Sequence, residues 1–372
     1  PVVALLLALG IPFLHVRLSS PDATILPTTT PSRQAFELFR SAFGDGALSP
    51  IVVAVQSERP VNDPQTIAAL YDLTRRIAAD PRVTRISSIV TVDPRISLGQ
   101  YQLLYAEPSL IRDPVIAGAY RQLAGQHVAA IYVYTDALPA SDEAKALLQT
   151  IRAMDPGPGL RMLVDGGTAE IVDVVDLMYS EFPYAALTVV VATYVVLFLL
   201  LRSVLLPLKA VILNALSLTA SYGALVFIFQ DGHLSDLLNF QPLGFIEASL
   251  PIVMFCLLFG LSMDYEVFLL SRIREAWDQT ADNRLAVATG LARSGRIITG
   301  AALILVVVAA AFVSADVVLI KALGLGIGLA IALDASIVRV LLVPATMRLL
   351  GDWNWWVPGI VLRLLPERGW EH

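Results

Sequence analysis

Five stretches of this chain are long and apolar enough to cross a lipid bilayer as helices, and that constrains its fold more than anything else in the sequence. A helix needs about 20 mostly apolar residues to span roughly 30 Å of hydrocarbon. Segments near 184–201, 206–229, 245–270, 297–312 and 317–343 have that character. Residues 1–16 read as a sixth span, truncated at its start, because they lack the basic leader and small-residue cleavage site of a signal peptide. The chain opens at Pro1 without Met and so reads as a fragment. Across 372 residues, 56% hydrophobic and 16% charged, the composition excludes a set of soluble domains. A net charge of -6, with no Lys/Arg cluster interleaved with aromatics, argues against a nucleic-acid partner. The single cysteine, Cys256, excludes an internal disulfide framework and a cysteine zinc site, and no other metal signature is present.

Orientation follows from the Lys and Arg residues, which accumulate on the cytoplasmic side of a membrane. Arg202 and Lys209 flank one connection; Arg272, Arg274, Arg284, Arg293 and Arg296 fill another; Arg348, Arg363 and Arg368 lie in the tail. The alternate connection, 230–244, has Asp231 and Asp236 but no Lys or Arg. That parity puts the large polar segment between the first two spans outside the cytoplasm. The expected organisation is a truncated first span over 1–18, an extracytoplasmic α/β domain over 19–181, a five-helix bundle over 182–350 and a tail over 351–372. With Trp353, Trp355, Trp356 and Trp370 among Arg and Pro, the tail suits the headgroup region.

Within the polar segment, strand and helix patterns alternate. Strands are expected over 51–56, 83–92, 127–135 and 160–164. Helices are expected over 65–79, behind Asn62-Asp63-Pro64, around 111–124, and over 141–154 behind Ser141. Two β-α-β units in series suggest a ferredoxin-like layout. A last helix from Thr168 should feed the second span through Pro183. The segment carries no G-x-S-x-G, H-E-x-x-H or Walker sequence, so no catalytic or ATP-binding site is expected and energy would come from an ion gradient or a separate subunit.

The stretch FGLSMDYEVFLLSRIRE, 259–275, places Asp264 and Tyr265 in an apolar helix before its basic end. Carboxylates are costly in hydrocarbon, so such residues are expected to face the bundle interior and find a partner. A carboxyl so placed, beside a phenol able to donate to its charged form, is suited to proton exchange near neutral pH. The same pair could instead only fix helix register, and Glu266 could be a relay member or a snorkelling interfacial acid. Asp334 and Arg339 in the last span form a possible second intramembrane charged site, or a pair that holds the bundle, with Arg296 as another donor for Asp334. Gly324 and Gly328 make a GxxxG that allows close helix packing, and Ser217, Ser221 and Gly223 read likewise as packing first.

Taken together, GLSMDYEVFLLSRIRE, SGRIITGAALILV and ALDASIVRVLLVPATMRLLG resemble the MMPL (mycobacterial membrane protein large) transporters of the resistance-nodulation-division superfamily, and the likeness extends over nearly the whole chain. The resemblance implies a membrane α-helical bundle of six transmembrane helices with an inserted α/β ferredoxin-like periplasmic porter domain. It matches the second of two homologous halves. It further implies that Asp264 and Tyr265 belong to a proton relay whose other Asp-Tyr pair lies in the N-terminal half, or in a second copy. The expected function is proton-motive-force-driven export of lipids or other amphipathic compounds across a bacterial cytoplasmic membrane, without enzymatic activity, with H⁺ as the coupling ion and no cofactor. Alternatives are a non-transporting sensor resembling sterol-sensing proteins and a translocation accessory resembling the SecDF type.

Overall fold

A computed structural model describes residues 1–358, so Arg363, Arg368 and Trp370 lie outside the described residues. The chain divides into two compact units: residues 1–27 with the segment from 178 onward, and residues 28–177.

The first unit is a multi-pass membrane bundle. Five helices are long and apolar enough to cross a membrane: Gly167–Leu201, Leu205–Gln230, Ser249–Thr280, Asn283–Val313 and Val318–Trp355. A shorter apolar helix, Val2–His15, precedes them. Leu205–Gln230 is the central element, since 61% of its most apolar stretch is buried against 11% for Gly167–Leu201 and 17% for Asn283–Val313. Its Gly223 lets the first helix lie on it backbone to backbone, as a Cβ there would fall 1.9 Å from the Leu9 carbonyl oxygen. The Ser217 and Ser221 hydroxyls donate to carbonyls of their own helix, at Asn214 and Ser217. One core cluster includes Leu6, Leu206, Phe259, Ile273 and Met347. A second gathers Tyr222, Phe229, Met254 and Ile331.

Both ends of the bundle are tied. At one, Gln230 accepts from the Arg17 amide at 2.7 Å and donates to the His15 carbonyl at 3.1 Å. There Leu18–Ser19 pairs in parallel with Ile246–Glu247, and Lys321 Nζ donates to the Leu238 carbonyl at 2.6 Å. At the other, the basic connections are short. The Arg-rich connection shrinks to a break at Ala281–Asp282, where Asp282 caps the next helix through the Arg284 and Leu285 amides. Lys209, expected to flank a connection, is buried inside a helix about one turn from its start. The expected headgroup tail is also only partly exposed. Trp353 and Trp356 are exposed, but Trp355 stacks on Trp277 at 4.9 Å and Asn354, fully buried, donates to the Met347 carbonyl at 2.7 Å.

The 28–177 unit contains one antiparallel sheet of Ile51–Ser57, Arg85–Ser87, Val128–Tyr134 and Leu160–Asp165. Its spatial order is second, third, first, fourth strand. Helices Pro64–Ala78 and Asp142–Arg152 follow the first and third strands, which makes a β-α-β-β-α-β arrangement. Strict alternation in Ile51–Ser57 turns Ile51, Val53 and Val55 inward against Ile67, Leu70, Leu147 and Leu148. Asp63 and Ser141 cap the two helices by accepting from the Gln65 and Ala144 amides.

Two local expectations need correction. The 83–92 strand is only Arg85–Ser87, because the Ser88 amide donates to the Thr91 hydroxyl and the Thr91 amide to the Ser88 carbonyl, turning the chain. The expected helix around 111–124 begins at Pro114, capped by Asp113. Two helices escaped the pattern reading, Pro31–Phe43 and Leu98–Tyr105, and the latter carries a capping box of Ser97 and Gln100.

Candidate functional site

The Ser249–Thr280 helix starts where the Glu247 carboxylate accepts from the Ser249 amide and hydroxyl, at 3.1 and 2.5 Å, and ends at Ala281 with φ 49°. Asp264 lies eight residues before Arg272, about 12 Å along the axis at 1.5 Å per residue. Steps of about 100° send consecutive residues to different surroundings. The inward face carries Leu258, Ser262, Glu266, Leu269 and Ile273. The opposite stripe carries Val253, Leu257, Gly260 and Asp264, all exposed. The expectation that Asp264 faces the interior of this bundle is therefore corrected: helical phase turns it outward, in an apolar stripe where an unpaired charge would be expensive against lipid. Glu266 is also reassigned, since it is buried rather than snorkelling.

Tyr265 lies between these faces. The Arg339 guanidinium stands 5.0 Å from its ring centroid, a cation–π contact. Arg339 also donates to the Ser262 carbonyl at 2.9 Å and to Asp334 at 2.5 Å. Asp334 and Arg339 are five apart, which in an α-helix would put them about 140° round the axis from each other. Here Asp334–Leu342 is a π-helical stretch inside the last span. An i→i+5 ladder brings residues at that spacing onto one face. Arg339 thus connects the last span to the Asp264–Tyr265 helix, and Arg296 makes no ion pair with Asp334 among the described residues.

Lys209, from the central helix, and Glu266 complete the buried set of charges. Sequence reading missed Lys209 because, one turn from a helix end, it counts as a flanking basic residue. The signal that could have found it is its place inside an apolar run, LLPLKAVILNAL.

Gly324 marks the tightest helix approach in the last span. A Cβ there would fall 2.5 Å from Phe312 Cβ and 2.7 Å from the Ala309 carbonyl oxygen, whereas one at Gly328 would meet Ala309 Cβ at 3.4 Å.

In the 28–177 unit, the charged residues make local pairs. Arg95 beside Asp93 holds that carboxyl down to about 2, and Arg82 does the same in direction for Asp80. Burial pushes the Tyr105 phenol up, and it donates to the Ile89 carbonyl at 2.6 Å. A surface depression of about 680 Å³ is lined by Ser87, Val115, Gln122, Tyr132 and Tyr134 among others. Among the described residues there is no group of three His, Cys, Asp or Glu side chains that could hold a metal ion.

The MMPL family matches residues 24–372 of this chain. The trehalose monomycolate exporter MmpL3 of Mycobacterium tuberculosis H37Rv is 34% identical over 369 residues, covering 99% of this chain and 36% of that protein. The mycolic acid-containing lipids exporter MmpL11 of Mycolicibacterium smegmatis is 34% identical over 370 residues, covering 99% of this chain and 36% of that protein. Membrane protein YdfJ of Bacillus subtilis is 31% identical over 365 residues, 98% of this chain and 46% of that protein. The chain spans from about a third to just under half the length of these relatives. With the family matched over nearly its whole length, this chain belongs to the MMPL family.

Proposed function

We propose that this chain supplies one half of a proton-motive-force-driven exporter of lipids or other amphipathic compounds in a bacterial cytoplasmic membrane, with the 28–177 unit as an extracytoplasmic porter domain. The observation that carries this reading is Asp264, exposed at mid-span beside Tyr265. A carboxyl at that depth is too costly to leave against lipid, so the stripe Val253, Leu257, Gly260 and Asp264 is a face for further protein. A homologous half, or a second copy, presenting its own Asp-Tyr pair there would enclose two carboxyls that exchange protons. Protonation would then change the charge at the junction and shift the helices that carry the porter domain. Lipidic substrate is the class named for two relatives, MmpL3 and MmpL11, and the long apolar faces of the bundle suit a substrate taken from the membrane.

The test is flux of a fluorescent lipid analogue in vesicles holding the complete transporter, under an imposed pH gradient. Export that rises with the gradient and stops when a protonophore collapses it supports the proposal. Export indifferent to the gradient refutes it.

A further inference from the structure

Four charged side chains from three helices are buried inside this bundle, and three of them carry unpaired atoms. Lys209 is 7% exposed, Glu266 6%, Asp334 6% and Arg339 3%. Arg339 Nη2 donates to Asp334 Oδ2. Lys209 Nζ and Glu266 Oε1, by contrast, have no hydrogen-bond partner among the described residues, and Arg339 Nε and Nη1 are likewise unpaired. An unpaired buried charge costs several kcal/mol, and buried polar groups are nearly always satisfied by protein or by ordered water. The two cations and two carboxylates sum to zero, so the set is compensated in charge while remaining short of hydrogen bonds.

We propose that Glu266 and Lys209 form a water-bridged proton-exchanging site inside this half, separate from the outward-facing Asp264. The buried charges that act electrostatically on Glu266 are Lys209 from the central helix and Asp334 and Arg339 from the last span. Arg339 hydrogen-bonds at Ser262 on the inward face of the Ser249–Thr280 helix and lies over the ring of Tyr265, the neighbour of Asp264. The Glu266 carboxylate accepts a proton from bridging water and returns it; only O–H bonds form and break. Lys209 is the counter-ion that holds the ionised form, and Arg339 couples its charge state to the Asp264–Tyr265 pair. This inference rests on the proton-coupled reading above.

The experiment uses the complete transporter with ¹³C-labelled glutamate. Infrared difference spectra between acidic and alkaline buffer should contain a glutamate carboxylic-acid C=O band that is absent in Glu266→Gln and retained in Asp264→Asn. Flux is then measured for the neutral pair Glu266→Gln/Lys209→Met, in which no charge is stranded and the fold should survive. Its thermal unfolding should stay close to that of the unaltered protein while gradient-driven flux falls to roughly a tenth or less, a loss in the range of a missing acid–base group. A glutamate band unaffected by Glu266→Gln, or wild-type flux in the double variant, makes the pair structural and overturns the inference. Either result leaves the coupling reading standing if flux still follows the gradient. Flux indifferent to the gradient in every variant sinks both.

Discussion

Removing one partner of the Asp334–Arg339 pair should destabilise the bundle far more than removing both. The two side chains approach to 2.5 Å and are 9% and 4% exposed, so neither charge can recover hydration in place. Stranding one member of a buried pair costs about 3–5 kcal/mol. For Asp334→Leu the lower end applies, because Arg339 keeps its bond to the Ser262 carbonyl at 2.9 Å and its place over the Tyr265 ring. About 3 kcal/mol shifts the folding equilibrium by roughly a hundredfold. Arg339→Met strands Asp334, whose carboxylate accepts from Arg339, and should cost at least as much. The double variant Asp334→Leu/Arg339→Met leaves apolar groups of similar bulk and should recover at least roughly 2 kcal/mol, since buried ion pairs replaced by apolar residues are often neutral in stability. Equilibrium unfolding in detergent mixtures, followed by tryptophan fluorescence, measures all three variants. Single variants that cost under about 1 kcal/mol, as exposed pairs do, or a double no better than the singles, would refute the reasoning.

Three further outcomes are expected. In a Cys256→Ser background, Asp63→Cys should react with an impermeant thiol reagent on intact cells and Ala281→Cys should not; the reverse labelling overturns the topology. The 28–177 unit should lose stability in acid: Asp80 and Asp93 are held below their ordinary values by Arg82 and Arg95. Their contribution is therefore complete above the unfolded carboxyl range and disappears as pH falls from about 4 towards 2. Hydrogen exchange of the Ile51–Ser57 strand in that window reports it, and unchanged protection would count against these pairs. Finally, this chain expressed by itself should insert but transport nothing, and robust export from vesicles holding it as the sole transporter would show a self-sufficient half.

Hydropathy alone located all five long helices, because a span leaves a compositional mark that no soluble element shares. It did not find their ends: Ser249–Thr280 and Asn283–Val313 run on through Arg-rich turns that are polar in sequence but helical in structure. The strand pattern of Ile51–Ser57 was legible from alternation, whereas 83–92 misled because Ser88 and Thr91 side chains compete locally for the backbone. Asp264 and Tyr265 stood out as polar residues in an apolar helix, but their direction depends on rotational phase, which composition does not encode. Lys209 lay in the apolar run LLPLKAVILNAL, but its closeness to a helix end made it read as a flanking basic residue, whereas the structure buries it. The π-helical stretch at Asp334–Leu342 was not legible in the residue pattern, yet it decides that Asp334 meets Arg339.

The most direct test of proton coupling through Asp264 is flux by the complete transporter carrying Asp264→Asn, at matched protein level and under a defined pH gradient. Asparagine keeps the size and much of the hydrogen bonding but cannot exchange a proton, and it removes a charge whose desolvation is costly, so insertion and stability should stay near normal. Gradient-driven flux should be abolished. Wild-type flux with undiminished dependence on the gradient would make Asp264 a structural residue and contradict the mechanism.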